Sequence, residues 1–251
     1  MAFTRTSRNP RAFTLIELLV SIGIISILIG LLLPALSGAK IRASEVKVLS
    51  ELRQIGVSMQ LYVEDAGGLY PYFPPNTPHL IGPPEDPMGI TYVGNDDPWS
   101  MAYMWVTLMH RVAPWQEHYA SWIGVGRESG RLPWLDPDAE PDNGWLIPGY
   151  RMSNSFVASP GTWSDNGVAR IQSIRAGQVR YPSAKVIFYD GARAYLRGDD
   201  RSQSSRGVLF ADGSARGALD ADAASPVQNR LKKGTPNIYH DTPMGVEGRD
   251  F

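Results

Sequence analysis

The stretch RAFTLIELLVSIGIISILIGLLLPALSG, Arg11 to Gly38, decides the fold class of this chain. Between Leu15 and Leu36 it carries one charged residue, Glu17, in an otherwise apolar run that contains two serines. As a helix, this run rises about 33 Å, close to the thickness of the hydrocarbon core of a bilayer. The apolar region of a secretory signal is shorter, so the stretch predicts a helix that spans the membrane and remains attached.

The charges before this run predict its orientation. Residues 1–12 contain three arginines and no acidic residue. Basic flanks stay on the cytoplasmic side, so the N-terminus is expected in the cytoplasm and most of the chain outside the membrane. An ordinary signal anchor would have the same pattern, but that interpretation leaves Glu17 unexplained. A carboxylate at membrane depth costs about 3 kcal/mol on insertion scales and marks a functional candidate.

Glu17 needs a cationic partner. No lysine or arginine occurs between Glu17 and Lys40, so the partner must lie upstream, in a lipid head group or in another molecule. A cut just before Phe13 would create an α-amino group four residues from Glu17. That amine could pair with the Glu17 carboxylate of a neighbouring copy.

The segment RAFTLIELLVSIGIISILIGLLLPA resembles the class III signal of type IV pilins and type II secretion pseudopilins. The resemblance implies that prepilin peptidase cuts between Ala12 and Phe13 and methylates the new amino group of Phe13. Glu17 matches the glutamate at the fifth position after the cut, and Pro34 matches the proline that kinks the family's helix. The resemblance therefore implies that Glu17 and Pro34 take part in the assembly of subunits. The chain departs from the family at Ala12, where glycine is usual.

Two later stretches add to this resemblance. SELRQIGVSMQLYVEDAGGLYPYFPP and VLFADG are similar to sequences in pilin-like proteins of planctomycete-type bacteria. They imply the same order of elements, a helix that leads into a domain with a hairpin near its end.

Beyond the apolar run, the pattern becomes that of an amphipathic helix. We expect one helix from Thr14 to about Asp65, roughly 75 Å long, with a break or kink near Pro34 or Gly38. The glycine pair at 67–68 is expected to end it. Its second half should pack on a folded domain through apolar residues spaced by three, four and seven. These residues are Ile41, Val48, Leu52, Ile55, Met59 and Tyr62 or Val63.

The strand signals are clearest late in the chain. AKVIFYDGA (Ala184 to Ala192) and RGVLFADGSARGAL (Arg206 to Leu219) both contain an apolar run that ends in the turn dipeptide Asp-Gly. These two stretches are expected to form adjacent antiparallel strands. GYRMSNSFVA (Gly149 to Ala158) is a candidate third strand.

The middle of the chain predicts an irregular insert. A proline-rich stretch from Leu69 to Asn95 is expected to be an extended loop, and a short helix is expected within Asp97 to Ala113. The seven tryptophans between Trp99 and Trp163 are interpreted as packing this insert, with a carbohydrate-binding surface as the alternative.

These patterns define an α+β fold, in which a long N-terminal helix packs on a C-terminal antiparallel β-sheet. The expected parts are a basic leader (1–12), a transmembrane or filament-core helix (13–36) and an amphipathic helix (37–66). They are followed by an outer domain (67–251) with a proline- and tryptophan-rich insert at about 70–165.

Composition narrows the function. The net charge of −1 gives no electrostatic support for binding nucleic acid, and the absence of cysteine excludes disulfides and thiol catalysis. No nucleophile elbow, phosphate-binding loop or zinc-protease motif occurs, so the chain is not expected to be an enzyme.

The resemblance suggests calcium as a cofactor, because some type II pseudopilins hold a calcium ion in a C-terminal loop. Asp136 and Asp138 begin an alternating series of acidic residues, and Asp212 lies at the end of the expected hairpin. Prolines interrupt the series and no EF-hand glycine is present, so solvated loops and ordinary turns are the alternative. No cofactor is predicted.

The sequence therefore predicts a prepilin-like structural subunit of a type II secretion pseudopilus or a type IV pilus. Its expected location is the bacterial inner membrane, with the C-terminal domain in the periplasm; the alternatives are a pilus or pseudopilus, or the cell surface. Its expected partners are prepilin peptidase, other pilin or pseudopilin subunits and the lipid of the inner membrane. The alternative is a membrane-anchored periplasmic binding module that uses the prepilin signal for export only.

Overall fold

The computed structural model describes residues 14–72, 99, 101–109, 112–113, 122, 149–191, 193, 195–196 and 204–251. The chain divides into two compact units, Met1–Ala43 and Ser44–Phe251. The predicted extended loop after Tyr72 and the acidic series near Asp136 lie outside the described residues.

Helix α1, Leu15–Asp65, is the longest element. It is helical through Pro34, so the predicted break near that residue is not a break in secondary structure. Among the described residues, it is the one helix long and apolar enough to cross a membrane. The helix ends where predicted, because Gly67 and Gly68 have φ angles of 65° and 85°. In this left-handed region glycine pays no steric cost, and the two residues turn the chain off the helix axis.

The second unit contains a four-stranded antiparallel sheet in the order β1-β2-β3-β4. Its strands are β1 Tyr150–Met152, β2 Val186–Asp190, β3 Arg206–Phe210 and β4 Ala215–Ala218. Helix α2, Met101–Met109, lies within the stretch predicted to be helical. Short 3-10 helices are found at Asn154–Val157, Pro160–Trp163, Ala176–Gln178, Asp220–Asp222 and Gly245–Glu247.

The second half of α1 packs on one face of the sheet. Four residues of the predicted apolar stripe, Val48, Leu52, Ile55 and Met59, are buried there, which confirms the predicted packing of the stripe. A Cβ atom added at Gly207 of β3 would lie only 2.4 Å from Val48. The helix therefore approaches the strand this closely because the strand has no side chain at that point.

The opposite face of the sheet is covered by the C-terminal segment. Tyr239 packs with Tyr189 of β2, and the ring of the last residue, Phe251, lies 5.8 Å from that of Phe210 in β3. The sheet is thus buried on both faces, and all five residues of β2 are buried. This explains why β2 runs from Val186 through Phe188 as consecutive apolar residues instead of alternating.

Side chains from the helices cover carbonyl groups at both edges of the sheet. The indole N–H of Trp105 in α2 donates to the carbonyl of Tyr150 in β1 over 3.0 Å. At the other edge, Arg53 of α1 donates to the carbonyl of Ala215 in β4 over 3.3 Å. These contacts satisfy backbone groups that an edge strand otherwise leaves open to pairing.

The strand predictions are confirmed in outline and corrected in detail. β2 and β3 are antiparallel neighbours, and Asp212-Gly213 forms the turn between β3 and β4. Asp190-Gly191 ends β2 but does not lead into a tight hairpin, because β3 begins only at Arg206. The predicted strand from Gly149 to Ala158 is wrong beyond Met152. There the Ser153 hydroxyl accepts a hydrogen bond from the backbone N–H of Ser155 and starts a 3-10 helix.

The tryptophans within the described residues support the packing interpretation. Trp99, Trp105, Trp122 and Trp163 are all buried, with exposed fractions of 6% or less. They are therefore core residues and do not form a ligand surface.

Candidate functional site

Glu17 belongs to a capping box at the start of α1. Thr14, the residue before the helix, donates to the Glu17 carboxylate from its backbone N–H over 2.9 Å and from its hydroxyl over 2.8 Å. In return, the Thr14 hydroxyl accepts from the backbone N–H of Glu17 over 3.3 Å. The pair satisfies backbone donors that the first turn of a helix leaves open.

This local role was missed in the sequence. The signal was present, because threonine followed three residues later by glutamate before an apolar run is typical of a helix start. Both hydrogen bonds from Thr14 reach the same carboxylate oxygen, Oε2. A carboxylate has about four acceptor positions, so the capping box leaves capacity for a further donor such as an ammonium group.

The apolar side chains of α1 beyond Glu17 are not packed against other described residues of the first unit. Every leucine, isoleucine and valine from Leu15 to Leu36 is at least half exposed. The two polar side chains in this run are satisfied internally, since the Ser21 and Ser26 hydroxyls donate to carbonyls one turn earlier, over 2.7 and 2.8 Å. Pro34 lacks a backbone N–H and therefore leaves one carbonyl of the preceding turn without its helical partner. The whole circumference of this segment is suited to an apolar environment.

The outer domain holds a buried ion pair that the sequence did not reveal. Lys185 is fully buried, and its ammonium nitrogen lies 3.1 Å from Oδ2 of Asp250. The same ammonium donates to the hydroxyls of Ser155 and Thr242 over 3.0 and 2.7 Å. Asp250 also accepts from the backbone N–H of Val186 over 2.7 Å. Burial lowers the pKa of Lys185, and the Asp250 carboxylate opposes that shift.

His240 lies in the same polar centre. Its Nδ1 accepts from the backbone N–H of Asn154 over 3.1 Å, so its Nε2 carries the proton and donates to the Tyr189 hydroxyl over 2.6 Å. Burial, with a smaller contribution from nearby cations, lowers the pKa of His240 to about 3. The imidazole is therefore neutral and structural. These contacts fix the C-terminal segment to β2 and to the 3-10 helix that follows β1.

Glu51 is also buried, although it does not belong to the predicted apolar stripe of α1. It accepts a 2.5 Å hydrogen bond from the Tyr150 hydroxyl and lies 3.8 Å from the ammonium of Lys47. Burial first and the Glu51 charge second raise the pKa of Tyr150 far above its usual range. The pair joins the helix to the sheet.

The remaining predicted site residues divide into two groups. Ala12, Phe13, Asp136 and Asp138 lie outside the described residues. Asp212 is described, and its carboxylate accepts from the backbone N–H and the hydroxyl of Ser214 within the hairpin turn. No group of three or more metal-ligating side chains occurs in the described part of the chain.

Comparison with known proteins agrees with this organisation. Residues 7–33 match the family model described as "Prokaryotic N-terminal methylation motif". The type II secretion system core protein G of Klebsiella michiganensis is 32% identical to this chain over 108 residues. That alignment covers 40% of this chain and 75% of the relative. The search of solved structures gave no significant match.

An apolar helix that carries a methylation motif and continues into an α+β domain defines the class of prepilin-like, membrane-anchored proteins. Within that class, the 32% identity to core protein G and the 75% coverage of that relative identify the family. The chain belongs to the pilin-like proteins that include the pseudopilin core protein G of type II secretion systems.

Proposed function

We propose that this chain is a structural subunit of a type II secretion pseudopilus or a type IV pilus. Prepilin peptidase cuts between Ala12 and Phe13 and methylates the amino group of Phe13. The mature chain is anchored in the inner membrane with its N-terminus in the cytoplasm and its outer domain in the periplasm. It then assembles with other pilin subunits through its apolar helix, and its role is structural rather than catalytic.

The observation that carries this proposal is the uncovered apolar surface from Leu15 to Leu36. Lipid tails and apolar side chains are about equally apolar, so one surface suits both the membrane and a neighbouring helix. The same apolar side chains of α1 can therefore face lipid in the membrane and neighbouring helices in a filament. Van der Waals packing and polar contacts then decide whether the helices associate.

Glu17 supplies the polar contact in this proposal. The amino group of Phe13 in one subunit pairs with the Glu17 carboxylate of its neighbour, which fixes the register between subunits. The low dielectric of the apolar surroundings strengthens this attraction. It also makes the pair obligatory, because a buried charge without a partner is costly.

The capping box makes it possible to separate the two roles of Glu17. Glu17→Gln keeps an acceptor for Thr14 but removes the charge, whereas Glu17→Ala removes both. We expect both variants to enter the membrane and be processed, and neither to assemble. The measurement is filament or pseudopilus incorporation in cells. Normal assembly of Glu17→Gln beside failure of Glu17→Ala would show that assembly needs the cap and not the charge.

The alternative function is a membrane-anchored binding module that uses the prepilin signal for export only. The two functions differ in whether the anchor helices of different copies meet. Because the chain has no cysteine, Ile24→Cys introduces a single thiol into the apolar surface. A subunit of a filament gives disulfide-linked dimers through this position in membranes and in sheared filaments. A separate module gives none above the level of random collisions.

A further inference from the structure

A groove lies between the last turns of α1 and the β3–β4 hairpin. Its volume is about 200 Å³, and it is lined mainly by apolar groups. A dry cavity of about 150 Å³ holds a benzene molecule, so the groove has room for one large apolar side chain. The apolar lining includes Gly56, Met59, Val63, Ile187, Leu209 and Ala211.

The rim of this helix-end groove is acidic on the α1 side. Gln60 and Glu64 line the groove and are exposed. Within the described part of the chain, no ion pair or side-chain hydrogen bond involves the Glu64 carboxylate. The groove therefore combines an apolar floor with a negative charge at its edge.

The same domain presents a tip of the opposite character. Leu231 is 43% exposed, and the two residues that follow it, Lys232 and Lys233, are exposed as well. In the region that the structure describes, neither lysine forms an ion pair. We call Leu231–Lys233 the lysine tip.

Hydrogen bonds from the side chains of Asn229 and Gln228 engage backbone groups of the lysine tip. Asn229 is 5% exposed, and its Oδ1 accepts from the backbone N–H groups of Leu231 and Lys232 over 2.9 and 3.1 Å. The side-chain amide of Gln228 donates to the carbonyl of Lys232 over 3.1 Å. An exposed apolar residue between fixed backbone groups loses little entropy when a partner covers it.

Arg230 fixes the base of the tip to the rest of the domain. Its backbone N–H donates to the carbonyl of Thr162 over 3.0 Å. Its Nη1 donates to the carbonyls of Gly161, Ser164 and Gly167 at 3.0 to 3.2 Å. The Arg230 guanidinium is therefore engaged within its own domain, although the residue is exposed.

We propose that the lysine tip of one copy docks into the helix-end groove of a second copy of this chain. Leu231 fills the apolar groove, and Lys232 and Lys233 lie beside the Glu64 carboxylate. Two features favour this occupant. Leu231 is apolar like the groove, and the two lysines beside it are opposite in charge to Glu64 at the groove's edge. The contact rests on the proposed function as a filament subunit and adds to it a second interface, formed by the outer domains.

This interface joins two different surfaces of the same protein. Such a heterologous contact repeats from copy to copy and gives an open filament when the rotation between copies does not close. It also leaves a free groove at one end of a filament and a free tip at the other. The outer domains thereby give the filament a direction.

Cysteine cross-linking in membranes tests the contact with the full chain. Gln60→Cys and Lys233→Cys are introduced into two differently tagged copies, so that only an intermolecular disulfide joins the tags. We expect a mixed disulfide from this pair. Replacing Gln60→Cys by Val46→Cys, at a position that is 68% exposed on the same helix, gives the matched control, for which we expect at least about fivefold less product.

Exchanging the charges of Glu64 and Lys232 tests whether their attraction contributes to the contact. Glu64→Lys places like charges together and is expected to lower the yield of the Gln60–Lys233 cross-link about fivefold. Adding Lys232→Glu to Glu64→Lys is expected to restore the yield. Both substituted side chains, Glu64 and Lys232, are exposed, so membrane levels of the variants should stay equal.

The Ile24→Cys cross-link distinguishes the failure of this contact from the failure of the proposed function. Ile24 dimers without the Gln60–Lys233 product, or with equal product from Val46, would refute the groove contact and leave filament assembly intact. Loss of both cross-links would refute assembly, and the groove contact with it. A charge exchange that does not restore the yield would also count against the contact.

Discussion

The two halves of α1 are built for different surroundings. Between Leu15 and Leu36, large apolar side chains surround the helix and all are at least half exposed. In the second half, Val48, Leu52, Ile55 and Met59 form one apolar stripe, and that stripe is buried against the sheet. A helix of the first kind needs lipid or other helices around it, whereas a helix of the second kind is stabilised by its own domain. One continuous helix therefore carries a half whose apolar side chains are exposed and a half whose apolar stripe is packed in the core of the second unit.

The largest effect on the free energy of unfolding is expected from the buried ion pair of Lys185 and Asp250. Asp250→Ala leaves the Lys185 ammonium buried without its carboxylate, and breaking such a pair costs about 3–5 kcal/mol. We expect that loss in the free energy of unfolding, measured with urea on the full chain in detergent by tryptophan fluorescence. Asp222→Ala, at an exposed aspartate, is the control and should change little. Equal stability of the two variants would contradict the structural role of Asp250.

The next effect compares the two faces of the second half of α1. Leu52→Ala removes a fully buried side chain and is expected to cost about 2–5 kcal/mol in the same measurement. Val46→Ala, on the exposed face, should stay within about 0.5 kcal/mol of the unchanged chain. If Val46→Ala destabilised the domain as much as Leu52→Ala, the assignment of buried and exposed faces would be wrong.

A pH-dependent effect is expected from His240, small near pH 6.5 and growing as the pH falls. Its pKa is about 3 in the folded chain, below the value of about 6.5 for a free imidazole, because burial disfavours the charged form. As the pH falls from 6.5 towards 3, the unfolded chain binds a proton that the folded chain does not. The stability that His240 contributes is complete above pH 6.5 and declines by up to about 1.4 kcal/mol for each pH unit below it.

His240→Asn keeps an acceptor for the backbone N–H of Asn154 but does not titrate. We expect this variant to be less stable at neutral pH and to lose less stability between pH 6.5 and 4 than the unchanged chain. The measurement is the urea midpoint as a function of pH. The same pH slope in both proteins would show that other groups cause the dependence.

The smallest effect on the outer domain is expected from the anchor half of the helix. Leu28 is 54% exposed and belongs to the first unit, so Leu28→Ala removes no contact of the domain core. Its effect on domain unfolding should stay within about 0.5 kcal/mol. A large change in that measurement would mean that the two halves do not behave independently.

The elements governed by local patterns could be predicted from the sequence. The end of α1, its buried stripe and the Asp212-Gly213 hairpin each follow from residue spacing or from a turn dipeptide. The capping box at Thr14 follows a local pattern as well, a threonine three residues before a glutamate at the start of an apolar run. Here the simpler local explanation and the functional one apply to the same carboxylate.

The buried polar centre could not be predicted in the same way. Lys185 and Asp250 are 65 residues apart, and no periodicity links them. Lysine and aspartate are usually exposed, so their sequence context predicts solvated side chains. Only the folded C-terminal segment, which carries Asp250 back to β2, places them together.

The mass of the mature chain tests the central claim most directly, namely that the segment from Arg11 to Gly38 is a processed prepilin signal. We expect the protein isolated from membranes to begin at Phe13 and to carry the additional mass of one methyl group on that residue. A chain that retains residues 1–12, or that begins at Phe13 without the methyl group in cells with an active prepilin peptidase, would contradict the account.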